Sequence, residues 1–140
     1  MVIKMTVPEF FERYEWVCEE VEPGIWRAVF ADERDEEYDL FVAQTDEWLH
    51  FAISPLTPRP KAECAISLHE KLLHLNQSLR LARLALDDEG DVALLADLPL
   101  DDLRYTHFAA ALDVLTGYTR RLAGELSRVA TQPGYRSPLL

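Results

Sequence analysis

Residues 84–99, LALDDEGDVALLADLP, decide how the chain is read. Four acids surround Gly90 in the segment DDEGD, 87–91, between two apolar runs. Such a cluster is either a cation loop or the turn of a hairpin, and counting positions separates the two. The twelve-residue calcium loop takes oxygen ligands at positions 1, 3 and 5, a glycine at 6 and a glutamate at 12. Counted from Asp87, the glycine falls fourth and the twelfth residue is Leu98. The segment therefore reads as a turn, where Asp and Gly tolerate left-handed backbone. Beyond it Val92, Leu94, Ala96 and Leu98 alternate with Ala93, Leu95 and Asp97, the period of a strand. The stretch is a hairpin of strands 80–87 and 91–98, ended by Pro99.

Working outward, residues 61–78 carry a helical period. Cys64, Leu68, Leu72, Leu75 and Leu79 make one face; Ala62, Ile66 and Leu73 make a second patch on another side. A helix apolar on two sides is buried on two sides, so Ile66 and Leu73, with His69 beside them, are expected at a dimer interface. On the other flank, Asp101 or Asp102 is placed to cap a long helix over 103–129, with Phe108, Ala111, Leu112, Leu115, Thr119, Leu122, Leu126 and Val129 on one stripe. The last ten residues, 131–140, read as a flexible tail after a single domain over 1–130.

The first half supplies more strands. GIWRAVFA (24–31), YDLFVAQ (38–44) and EWLHFAI (47–53) are rich in β-branched and aromatic residues, with short connections that favour antiparallel pairing. The loop 54–60 holds three prolines. Ahead of the strands, 8–21 reads as a helix with Phe10, Tyr14, Val17 and Val21 in line, stopped by Pro23-Gly24. The order α-β-β-β-α-β-β-α gives an α+β fold of two layers, with a five-stranded antiparallel sheet and helices packed mainly on one side.

Charge narrows the work. With 14 Lys and Arg against 25 Asp and Glu the net charge is -11, which opposes nucleic acid and anionic membrane as partners and favours basic or apolar protein segments. No apolar run reaches the ~18 residues of a membrane span. The N-terminus lacks a signal-peptide pattern, and Cys18 and Cys64 form no disulfide framework, so a cytoplasmic location is expected. No catalytic residue, cofactor site or metal site is read here. His69 and His74 fail the zinc-protease spacing, since i and i+5 stand about 140° apart around a helix. No nucleophile elbow and no glycine-rich phosphate loop occur.

The run LHLNQSLRLARLALDDEGDVALLADLPLDDL, 73–103, with its Leu75-Asn76 pair, acidic-Gly turn and strand ending in LPL, resembles the core of YbjN-type proteins, the bacterial sensory transduction regulators. Trp48 and Phe51 match the strand that precedes the middle helix. That family is similar in fold to CesT-like type III secretion chaperones: small, acidic, cytoplasmic, usually homodimeric proteins that hold a segment of another protein. The resemblance implies a homodimeric, non-enzymatic adaptor, chaperone-like or regulatory, with a protein or peptide partner. A small-molecule sensor or enzyme with a pocket between sheet and helices, and a structural subunit of a larger assembly, are the rival readings. Partner contact is expected at Trp16, Trp26, Phe30 and Trp48, because large aromatics concentrate at binding hot spots.

Overall fold

The computed structural model describes residues 5–140. Its elements are α1 (Val7–Arg13), β1 (Glu19–Glu22), β2 (Ile25–Ala31), β3 (Glu37–Gln44), β4 (Trp48–Ile53), α2 (Ala65–Asn76), β5 (Ala82–Leu86), β6 (Val92–Pro99) and α3 (Tyr105–Thr131). All strand pairs are antiparallel, in the spatial order β1-β2-β3-β4-β6-β5. The helices cover one face of this sheet, and Phe108 of α3 ties α1 to it. Its ring meets Phe11 edge-on at 5.1 Å, stacks on Phe10 at 5.1 Å and reaches Phe51 of β4 at 5.6 Å. The architecture is the expected two-layer α+β fold, with six strands in place of five.

The extra strand comes from the segment 8–21, expected to be one helix. Thr6 opens α1 as a reciprocal cap: its hydroxyl accepts from the Glu9 N–H while the Glu9 carboxylate accepts from Thr6. The helix then ends at Arg13. Glu15 takes a left-handed φ of 64°. The Trp16 N–H donates to the Phe11 carbonyl, and the Glu15 N–H to that of Glu12. This is the paired closure that usually places glycine at the left-handed site. A glutamate there costs about 1–2 kcal/mol, and nothing in the local sequence announces it. The offset is tertiary: the turn swings the Trp16 ring onto Phe30, stacked at 5.5 Å, with Tyr14 edge-on to it at 5.3 Å. Pro23-Gly24 then turns the chain from β1 into β2.

The DDEGD segment is the turn between β5 and β6. Asp87 organises it: one carboxylate oxygen accepts the N–H groups of Glu89 and Asp91, and the other accepts the Ser54 hydroxyl. Gly90 supplies the positive φ of 85°. Arg59 bonds Asp91 at 3.0 Å, and the Leu56 N–H donates to the Val92 carbonyl, so the proline loop is tied to the same turn. Neither Asp101 nor Asp102 caps α3. The last residue before that helix is Arg104, whose N–H donates to the His107 ring. The chain end returns over α2 and α3: the Tyr135 hydroxyl donates to Glu125 at 2.5 Å, and the Lys71 ammonium to the Leu140 carbonyl.

β5 lies at one edge of the sheet, and Asn76 closes it. Its side-chain amide donates to the Leu84 carbonyl at 2.9 Å and accepts the Leu84 N–H at 2.7 Å. One amide thereby takes the place of a neighbouring strand's backbone. Replacing it leaves both groups of a half-covered strand without partners. Asn76→Leu is expected to lower the unfolding free energy by about 1–3 kcal/mol, read as a lower urea midpoint. A midpoint equal to that of the parent would show that water serves the edge as well as the amide does.

Candidate protein-docking face

Helices on one side of an antiparallel sheet leave the other side bare. Strand alternation places Ile25, Arg27 and Val29 of β2, Asp39, Phe41 and Ala43 of β3, and Trp48, His50 and Ala52 of β4 there. Leu95 and Asp97 of β6 and Arg83 of β5 join them. Cross-strand pairing aligns Arg27, Phe41, Ala52, Leu95 and Arg83 in one row, and Ile25, Ala43, His50 and Asp97 in the next. Alanines 43, 52 and 93 keep the centre low between the bulk of Ile25, Phe41 and Leu95. The result is a shallow apolar groove of about 450 Å³, bounded by Val21 and, at its rim, by Glu22, Ser54 and Asp87.

Charged rows flank the groove. On one side Arg27 pairs with Asp39 at 2.8 Å and Glu19 at 3.3 Å. On the other, Asp97 holds the His50 Nδ1 at 2.6 Å and the Arg83 guanidinium at 2.7 Å. Thr45 Oγ1 lies 3.5 Å from the His50 Nε2, giving the order hydroxyl, imidazole, carboxylate. That order resembles a nucleophile relay, yet the hydroxyl is committed to its hairpin. It donates to the Trp48 carbonyl and accepts the Trp48 N–H, so its proton points away from the imidazole. The arrangement fixes His50 and Arg83 as positioned polar groups beside an apolar surface.

The four aromatics named from sequence do not form one patch. Trp16 and Phe30 spend their faces on each other on the helix side, and Phe30 is buried. Trp26 also lies on the helix side, at the opposite end of β2. There it walls a cleft of about 340 Å³ with Val7, Phe10, Leu49, Leu100 and Leu103. Trp48 alone stands on the bare face, 43% exposed. On α2, Leu68 and Leu72 are buried while Ile66 and Leu73 point outward at 75% and 73% exposure, with half-buried His69 between them in sequence. Phe41, Ala52 and Leu95, the centre of the groove, were not singled out from sequence. Their signal was the presence of bulky apolar residues at both parities of the strands.

A profile of the Tir chaperone protein (CesT) family matches residues 30–123, from the end of β2 into α3. The chain belongs to the CesT family. Solved structures agree on the fold. A chain of the heterodimeric ExoU–SpcU complex from the type III secretion system of Pseudomonas aeruginosa is similar at a TM-score of 0.61 and 16% identity. That match covers 89% of this chain and 98% of the other. YbjN from E. coli gives 0.59 and 13%, covering 85% of this chain and 90% of its own. A chain of the ExsC–ExsE complex gives 0.57 and 16%, with 84% and 90% covered. At such identities the likeness is one of CesT-type architecture alone. No curated protein sequence matches the chain. Among the described residues no helix is long and apolar enough to cross a membrane.

Asp97 makes this face sensitive to acid. Burial by itself would raise its pKa, but the hydrogen bonds from His50 and Arg83 hold the carboxylate below its ordinary range. A lowered native pKa contributes stability that is full above the unfolded value of about 3.9 and is lost as pH falls through the native one. Asp97→Asn should therefore cost stability at neutral pH, and the gap from the parent should close as pH falls below about 4. Urea titrations of both proteins across that range read the gap. A gap that stays constant with pH would remove the ion pairs as its cause.

Proposed function

We propose that the protein is a non-enzymatic, chaperone-like adaptor that holds a segment of a partner protein on the bare face of its sheet. The observation that carries this reading is the apolar groove around Phe41, Ala52 and Leu95, a continuous patch that no helix among the described residues covers. Contiguous apolar surface with a polar rim is the mark of a protein-binding site. Membership of the CesT family and the partner complexes among its structural neighbours support the same reading. Trp48 stands on the same face beyond His50, where it walls a separate cleft with Pro99 and Leu100, and the cleft walled by Trp26 offers a further seat for an apolar side chain. Trp16 and Phe30 support the site from within the helix layer. The net charge of -11 favours basic segments flanking the apolar one, and the proposed setting is the cytoplasm.

The test is a pull-down with mass spectrometry from the source cells, parent against Phe41→Lys/Leu95→Lys, with circular dichroism to show that both are folded. The partner recovered by the parent should be lost from the folded variant. Undiminished recovery by that variant would overturn the docking face.

We further propose a homodimer through the outward stripe of α2, Ile66, His69 and Leu73. Two large apolar side chains one heptad apart and about three-quarters exposed are costly to leave in water, and a second copy of the same helix covers them reciprocally. Light scattering should give twice the 16.1 kDa chain mass for the parent and the single mass for Ile66→Glu/Leu73→Glu. A parent of single mass would exclude this interface.

A further inference from the structure

Away from the docking face the structure gathers positive charge that the chain as a whole lacks. Arg34 of the β2–β3 connection and Arg120, Arg121 and Arg128 of α3 line one cleft of about 210 Å³. Residues 120, 124 and 128 succeed one another at i, i+4 and i+8 along one side of the helix, and the middle one is glycine. That glycine makes room: a Cβ at 124 would stand 2.8 Å from the Arg34 guanidinium. The guanidinium therefore lies directly over the helix backbone between the α3 arginines.

Arg34 is held in place. Asp32, its side chain only 5% exposed, accepts the Arg34 N–H at 2.8 Å and the Arg34 guanidinium at 3.0 Å. It also accepts the Glu36 N–H and the Tyr38 hydroxyl. Its oxygens are thus fully engaged. Glu125 likewise takes the Tyr135 hydroxyl at 2.5 Å, with Arg128 at 3.9 Å. Glu33 makes no ion pair among the described residues, and neither do Arg120 and Arg121. Four guanidinium groups thus share the cleft with three carboxylates, of which Asp32 pairs with Arg34 and Glu125 lies 3.9 Å from Arg128. Arg121 lies over the Tyr118 ring at 5.1 Å and Arg128 donates to the Tyr135 hydroxyl at 3.5 Å, while Arg120 and Arg121 keep their charge without a carboxylate partner at the cleft.

We propose that this cleft binds a single phosphate group. Several guanidinium forks match the charge and the tetrahedrally placed oxygens of a phosphate better than a lone carboxylate, which one fork satisfies. The cleft is small, and a net charge of -11 opposes an extended polyanion such as nucleic acid. The ligand is compact: free inorganic phosphate or one phosphorylated side chain.

The test is a titration of the full chain with inorganic phosphate, and separately with O-phosphoserine, at ionic strength fixed with sodium chloride. Binding is followed by calorimetry and by phosphorus NMR. The expected result is saturable binding to one site, weakened about tenfold or more in Arg120→Gln/Arg121→Gln. Gly124→Ala, which displaces the Arg34 guanidinium without removing charge, should weaken it as well. The arginine variant alters only exposed side chains, so its fold is retained and checked by circular dichroism. Tighter binding of phosphoserine than of phosphate would assign a phosphorylated residue as ligand; equal binding would assign the free anion. No saturable binding by the parent, or binding unchanged in the folded arginine variant, would overturn the site.

Discussion

The alternation within β4 is the constraint on which the rest of the molecule depends. Leu49, Phe51 and Ile53 are buried, while Trp48, His50 and Ala52 are not. Successive side chains of a strand take opposite faces, so a slip of one residue exchanges the two sets. Here the exchange would force His50 into the core and expose Phe51, which packs on Phe108. β4 lies inside the sheet, and its parity passes to both neighbours. Ile53 and Phe51 stand opposite Leu40 and Val42 of β3; Leu49, Phe51 and Ile53 stand opposite Leu98, Ala96 and Leu94 of β6. The same register sets Phe41, Ala52 and Leu95 side by side on the bare face. Core and candidate docking site are two sides of one pairing.

This explains which parts were legible in the sequence. Period-two runs at 24–31, 38–44, 47–53 and 91–98, and the stripes of α2 and α3, carry their own pattern, and each appears close to where it was read. The hairpin at 84–99 was legible because cation loops have fixed positions and DDEGD fails them. The segment 14–22 was not legible. Its course is set by a left-handed glutamate and by stacking between Trp16 and Phe30, and neither leaves a local mark. The aromatics divide between the two layers for a related reason: size says that a side chain wants cover, not which layer supplies it. Alanines 43, 52 and 93 count for little when read singly, yet their spacing across three strands shapes the groove. In the sequence Asn76 stands out only through the resemblance that carries it. Its matched pair of bonds to Leu84 depends on how α2 meets β5.

The two edges of the sheet limit how a partner can attach. At β5 the Asn76 amide occupies the position that an added strand would need at Leu84. At the other edge β1 is short, carries Glu19, Glu20 and Glu22, and breaks register between Glu20 and Glu22. Charge and irregularity at an edge are the usual defences against strand addition. With backbone hydrogen bonding discouraged at both ends, the proposed docking rests on side chains. The bare face offers them: an apolar floor of alanines, bulk at Ile25, Phe41 and Leu95, and fixed charges at Arg27 and Asp97 on either side. The same logic applies to the proposed homodimer. α2 packs beside β5, so a second copy on the proposed Ile66–Leu73 stripe would meet helix side chains rather than open strand backbone. Closing the edge with Asn76 lets an apolar stripe stand next to a sheet margin without inviting open-ended strand pairing.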